Sequence, residues 1–159
     1  MEDTMLQAKY SSWTGRKLEI RSAYANQITV EFKGWRDSAQ WQIEHTNYTL
    51  SRVKGKGYPL VMSANGQEIM RVARVSIWKT TLEGHYANQP LRFERPSIWK
   101  SGYQVYLNGV IIGEVKAEGF WQRTMIANFN NPQPYDFQLG CLMIAISIWR
   151  QEAASAAAS

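Results

Sequence analysis

The sequence predicts a mostly β domain assembled around one buried C-terminal helix. Three observations carry this. Several segments alternate apolar and polar residues with period two. Two Asn-Gly pairs stand between such segments. A nearly unbroken apolar run, Phe137–Trp149, closes the ordered part of the chain. Alternation marks strands with one buried face. Many short strands separated by Gly, Asn and Pro indicate a barrel or a sandwich.

The alternating segments come first. Leu18 and Ile20 alternate with Lys17, Glu19 and Arg21. Ile28, Val30 and Phe32 alternate with Gln27, Thr29, Glu31 and Lys33. Trp41, Ile43 and His45 alternate with Gln40, Gln42 and Glu44. Leu91 and Phe93 alternate with Arg92 and Glu94, and Met125, Ala127 and Phe129 follow the same rule less cleanly. Aromatics make up 13% of the chain, and large rings suit strands and sheet-packed cores.

The Asn-Gly pairs read as hairpin turns, because both residues tolerate the positive φ of a type I′ turn. Asn65-Gly66 lies between Leu60–Ala64 and Gln67–Ile77. Asn108-Gly109 lies between Tyr103–Leu107 and Val110–Ala117. The two hairpins repeat at a spacing of 43, aligning Ile69 with Ile112, Val72 with Val115 and Trp78 with Trp121. A second echo, Ser76-Ile77-Trp78-Lys79 against Ser97-Ile98-Trp99-Lys100, has a spacing of 21 and carries no argument.

The C-terminal run changes the period. Asn130–Pro134 reads as a loop and Asp136 as a helix cap. From Phe137 to Trp149 no polar face is left, so the helix must be buried on all sides. Thirteen residues span about 20 Å, short of the ~30 Å hydrocarbon core, which argues against a membrane span. A buried strand is the competing reading, and the length with Asp136 favours helix. A closed barrel gives every face of such a helix a cover. Gly140, Cys141, Ala145 and Ser147 are small enough to let strands come close. The domain therefore comprises residues 1–150 with its central helix at 137–149. The Ala- and Ser-rich segment 151–159 reads as a frayed or disordered tail.

Length and composition bound the rest. A chain of 159 residues with 45% apolar and 19% charged residues fits one globular domain. The net charge is +5: residues 1–60 carry +3, residues 61–123 carry +3, and residues 124–159 carry −1. This spread excess favours anionic surfaces. It lacks the clustered stripe of a nucleic-acid binder, so nucleic acid is not the expected partner. The single cysteine, Cys141, forbids an internal disulfide and reads as a buried thiol. Met1-Glu2-Asp3-Thr4 begins acidic with no apolar stretch after it, which argues against a secretory signal. The expected location is the cytoplasm, peripheral to a membrane, with a monomer favoured.

The hairpin Tyr103–Val115 (YQVYLNGVIIGEV) and the helix Phe137–Trp149 resemble the tubby C-terminal-like superfamily, which includes tubby-like proteins, phospholipid scramblases and LURP-one-related proteins. The hairpin Tyr58–Trp78 is similar to a related hairpin, and together these segments cover about half the chain. The resemblance implies a closed antiparallel barrel of about twelve strands threaded by the helix. It also implies binding of anionic phospholipid headgroups. The superfamily's basic residues do not map here one by one, so the transfer stops at the class of ligand.

Catalytic constellations are not visible. His45 and His85 are the only histidines. His45 is expected to be buried with Trp41 and Ile43, and His85 to lie in a loop. Cys and His are too few for a usual zinc site, and no metal or cofactor is expected. Glu19, Glu31, Glu44 and Glu94 fall on polar strand faces. Gly55-Lys56-Gly57 opens a phosphate-loop-like pattern, but Leu60 stands where a third glycine belongs. Asn47-Tyr48-Thr49 matches a glycosylation sequon without the secretory signal that would make it relevant.

One cluster points to binding chemistry. Arg52, Lys54 and Lys56 lie within five residues, interleaved with glycines that allow close backbone approach. They are the anion-binding candidates, with a solvated basic turn as the plain alternative. The expected function is non-enzymatic binding of an anionic phospholipid headgroup or another phosphate-bearing ligand at a membrane surface. The alternatives are a barrel carrying a small apolar ligand, and an enzyme whose site is assembled only in space.

Overall fold

The computed structural model describes residues 5–12, 14–22, 27–33, 38–97, 99, 101–118 and 124–158. Among these residues, twelve antiparallel strands precede one helix. They are β1 (Met5–Tyr10), β2 (Lys17–Arg21), β3 (Ile28–Lys33), β4 (Ser38–Ile43), β5 (Thr46–Arg52), β6 (Leu60–Ala64), β7 (Gln67–Arg74), β8 (Leu82–Tyr86), β9 (Gln89–Glu94), β10 (Tyr103–Leu107), β11 (Val110–Glu118) and β12 (Thr124–Phe129). Each strand pairs with its neighbour in sequence, and β12 pairs with β1, so the sheet closes into a barrel without an edge. Helix α1 (Tyr135–Ala158) follows.

The alternation read from sequence is the wall of this barrel. In β3 the burial strictly alternates, with Ile28, Val30 and Phe32 inside and Thr29, Glu31 and Lys33 outside. Leu18 and Ile20, Leu91 and Phe93, and Met125, Ala127 and Phe129 face the core in the same way. His45 departs from the pattern. It is exposed in the Glu44-His45 turn, where Glu44 has a φ of 53°, because the chain reverses two residues before the alternation runs out. His85 also departs: it lies on the outer face of β8, not in a loop.

α1 fills the lumen. Cys141 to Ala145 are fully buried, and five consecutive residues at 100° intervals point in every direction around the axis. The neighbours come from all sides. The Phe137 ring lies 4.7 Å from that of Tyr86 on β8 and 6.0 Å from that of Phe129 on β12. Gly140 faces Met62 of β6 and Met70 of β7. Near the far end the Trp149 Nε1 donates to the Ser101 carbonyl at 2.6 Å. There the Arg150 guanidinium donates to the Gly15 carbonyl at 2.7 Å and stacks 3.8 Å over Phe32. The helix starts one residue before Asp136, so Asp136 is not its cap. It sits inside the first turn, where its charge suits the dipole and its carboxylate accepts from Tyr86 Oη at 2.9 Å. The helix also runs past Trp149 to Ala158, so the described part of the segment 151–159, which the sequence marks as a frayed or disordered tail, continues the helix.

The spacing of 43 proves deeper than two hairpins. β2, β6 and β10 begin at residues 17, 60 and 103, and β4, β8 and β12 end at 43, 86 and 129. The barrel is thus three successive four-stranded units. Both Asn-Gly turns have positive φ at both residues. The hairpins carrying them are bulged at the same place, between Met62 and Ser63 and between Val105 and Tyr106. Tryptophans recur at 35, 78 and 121, although Trp35 and Trp121, like Ile98, Lys100 and the acidic N-terminus 1–4, lie outside the described residues.

Two glycines separate strand crowding from helix crowding. A Cβ on Gly84 would run into the backbone carbonyl of Arg71 on β7, which cannot yield without breaking the ladder. A Cβ on Gly140 would sit 2.7 Å from Met62 Sδ and 2.8 Å from Met70 Cε, the mobile ends of flexible side chains. Helix propensity offsets part of the latter cost by up to about 1 kcal/mol. Gly84→Ala should therefore destabilise by roughly 2–4 kcal/mol and Gly140→Ala by about 1 kcal/mol or less, measured as urea unfolding of each variant. Ile144→Asp should prevent folding, since it places an unpaired carboxylate at a fully buried position. A cooperative melt at the wild-type temperature would show that the helix is not enclosed.

Candidate anion-binding site

The two mouths of the barrel differ. At the helix N-terminal mouth, tight turns such as Glu44-His45, Asn65-Gly66, Ala87-Asn88 and Asn108-Gly109 join the strands. None of the connections at this mouth contains Lys or Arg. At the helix C-terminal mouth the described β5–β6 and β7–β8 connections are longer and carry Lys54, Lys56 and Lys79.

The β5–β6 connection leaves Arg52 and returns at Leu60. Gly55, Gly57 and Tyr58 all have positive φ, which curls the loop tightly. A side chain at Gly57 would strike the Arg74 carbonyl, and the Arg74 amide donates to the Gly57 carbonyl at 3.0 Å. This glycine is required for the loop to lie against the end of β7. Its consequence is that Arg52 and Arg74, distant in sequence, border one pocket.

That pocket has a volume of about 360 Å³. Leu60, Val72, Leu82 and Ile148 form its apolar floor, and Arg52, Arg74, Gln151 and Glu152 its polar rim. Arg52 bridges loop and helix, with Nη1 donating to the Tyr58 carbonyl at 2.9 Å and Nη2 to Gln151 Oε1 at 2.6 Å. Arg74 is exposed at the end of β7. Of the three candidates read from sequence, only Arg52 lines the pocket. Lys54 and Lys56 are exposed and are not among the residues that line it. Arg74 was missed because it closes a strand in a different hairpin, and no local pattern links it to Arg52.

A third guanidinium completes the mouth. Arg95 donates to the Glu152 carboxylate at 2.8 and 3.2 Å and to Tyr103 Oη at 2.9 Å, and it lies 4.7 Å from the centre of the Tyr103 ring. Burial, the largest single influence, opposes its charge, but the Glu152 hydrogen bond and the attraction of Tyr103 and Glu152 together outweigh it and hold Arg95 more firmly protonated than usual. Tyr103 is pushed up to about 12, chiefly by burial, so its hydroxyl keeps its proton at neutral pH. The rim carboxylate of Glu152 is engaged by Arg95, and the contacts of Arg52 include the Gln151 amide oxygen and the Tyr58 carbonyl. An anion entering between Arg52 and Arg74 would meet charge-assisted donors above an apolar floor.

Groups that suggest other chemistry are dispersed. His85 Nε2 lies 3.2 Å from Glu68 Oε2 on the outer surface, and Arg71 pairs with the same carboxylate at 2.8 Å. The Arg71 hydrogen bond holds Glu68 below the usual carboxylate range. Burial pushes the Cys141 thiol up, within the core. Among the described residues, no three His, Cys, Asp or Glu side chains come together as a metal cage would require.

Glu152→Ala should remove the carboxylate partner of Arg95, whose side chain is only 11% exposed. Because Glu152 itself is half exposed, the cost should be modest, about 1 kcal/mol, read as a lowered urea midpoint with unchanged slope. The comparisons with known proteins leave this geometry to stand alone, for the chain matches no family model, no curated protein and no solved structure.

Proposed function

We propose that this chain is a non-enzymatic binding domain for anionic phospholipid headgroups, acting at a membrane surface. The observation that carries the reading is the convergence of Arg52 and Arg74 on one pocket, at the mouth where Lys54 and Lys56 are also displayed. A headgroup phosphate would sit between the two guanidiniums, and the lysines would add long-range attraction. The resemblance of the Tyr103–Val115 hairpin and the Phe137–Trp149 helix to tubby-like proteins supports the same class of ligand. A twelve-stranded barrel around a helix is the fold that resemblance implies. The apolar-carrier alternative draws no support from the lumen, which helix side chains occupy. Among the described residues no helix is long and apolar enough to cross a membrane, so attachment would be through the surface.

Two variants test the pocket without disturbing the core. Arg74→Ala removes an exposed guanidinium, and Gln151→Glu gives Arg52 an internal carboxylate that competes with the ligand. Each should weaken sedimentation with vesicles of phosphatidylcholine containing phosphatidylinositol 4,5-bisphosphate by about ten-fold, with little change in melting temperature. Binding should also fall steeply with added salt. Equal sedimentation of the wild type with these vesicles and with pure phosphatidylcholine would sink the reading.

A further inference from the structure

We infer that the β7–β8 loop is a membrane-inserting tip, with Ile77 and Trp78 entering the interfacial layer of an anionic bilayer while the barrel stands on its helix C-terminal mouth. This rests on the headgroup reading above and assigns the orientation and the second contact that the pocket alone does not provide.

The loop is a formed projection. The Val75 amide donates to the Thr81 carbonyl at 3.2 Å and closes its base. The Trp78 amide donates to Ser76 Oγ at 3.3 Å, and the Lys79 amide to the Ser76 carbonyl at 3.4 Å, which shapes the tip. The tip side chains are left in water: Ile77 is 77% and Trp78 88% exposed, and Tyr58 on the adjoining loop is 68% exposed. Single exposed apolar residues are ordinary. Here three large ones stand on two loops that a hydrogen bond between Gly57 and Arg74 ties together at their bases.

Charge identifies what covers it. Arg74 and Lys79 flank the tip, and Lys54 and Lys56 lie on the adjoining loop. An apolar tip ringed by cations complements a surface that is anionic above and apolar below. Tryptophan, with its ring and one N–H donor, favours that boundary layer. A protein groove would satisfy Ile77 and Trp78 equally well but would leave the surrounding cations unmatched. Of the other exposed large apolar residues among those described, Val75 stands at the base of this same loop, and Met5, Val110 and Ile111 lie toward the opposite mouth, whose connections carry no Lys or Arg.

The test uses the full chain and vesicles of phosphatidylcholine and phosphatidylinositol 4,5-bisphosphate brominated in the acyl chains. Bromine quenches only tryptophans that enter the bilayer. Wild-type fluorescence should be quenched, and Trp78→Phe should lose most of that quenching while still sedimenting with the vesicles. The double variant Ile77→Ser, Trp78→Ser should bind the vesicles at least ten-fold more weakly and bind soluble inositol 1,4,5-trisphosphate as the wild type does. Vesicle binding with no quenching, and with the double variant unimpaired, would overturn insertion and leave the headgroup pocket standing. Quenching that is the same on brominated phosphatidylcholine alone would keep insertion and sink the headgroup reading. Failure of the wild type to bind any vesicle would sink both and turn the tip over to a protein partner.

Discussion

A helix with no wet face is the constraint on which this molecule is organised. The stretch Phe137–Trp149 cannot expose any side to water without stranding large apolar groups. A single sheet would cover one side only. Closing the sheet on itself covers them all, and it removes the two unpaired edges that a twelve-stranded meander would otherwise offer to other chains. The barrel is wide enough to need a filling, and the helix is the filling. Gly140 keeps it thin where Met62 and Met70 press inward.

The same arrangement decides where polar chemistry can be placed. Among the described residues the helix side chains occupy the lumen, and the polar pocket lies at a mouth. At one mouth the Glu44-His45, Asn65-Gly66, Ala87-Asn88 and Asn108-Gly109 turns are tight and carry no charge apart from Glu44, and Phe137 packs there against Tyr86, whose hydroxyl donates to Asp136. At the other the helix leaves the barrel, and Trp149 and Arg150 tie its departure to the Ser101 and Gly15 carbonyls. The longer loops there have to wrap around an emerging helix. Those loops bring the guanidiniums of Arg52, Arg74 and Arg95 into one neighbourhood.

Much of the wall was legible because burial on one face alone leaves a period-two signature. β3 shows it completely. β1, β5 and β8 escaped for a shared reason. Each turns few bulky residues inward, such as Leu6 and Ala8 in β1 and Leu50 in β5, so alternation is faint although the pairing is complete. His45 reads as buried because the alternation continues for two residues into a turn that only backbone dihedrals reveal. The helix extension was misread because composition alone cannot show that Gln151 and Glu152 find arginine partners. The site was half legible. Arg52 stands in a local cluster, whereas Arg74 joins it only through a backbone hydrogen bond between two loops, which leaves no mark on either stretch of sequence.

The repeat explains why guanidiniums meet the helix at all. Arg52 and Arg95 stand 43 residues apart, at equivalent places in successive units, and each reaches α1 at the mouth. The helix answers them with adjacent but unlike residues. Glu152 meets Arg95 with a carboxylate and turns it into an internal ion pair that anchors the helix end. Gln151 meets Arg52 with an amide, a contact that positions the guanidinium but contributes no charge. Equivalent cations are thus given different tasks by one residue of difference in the helix. A symmetric wall needs an asymmetric element to make one site from three similar units, and here that element is the helix that the wall was closed to bury.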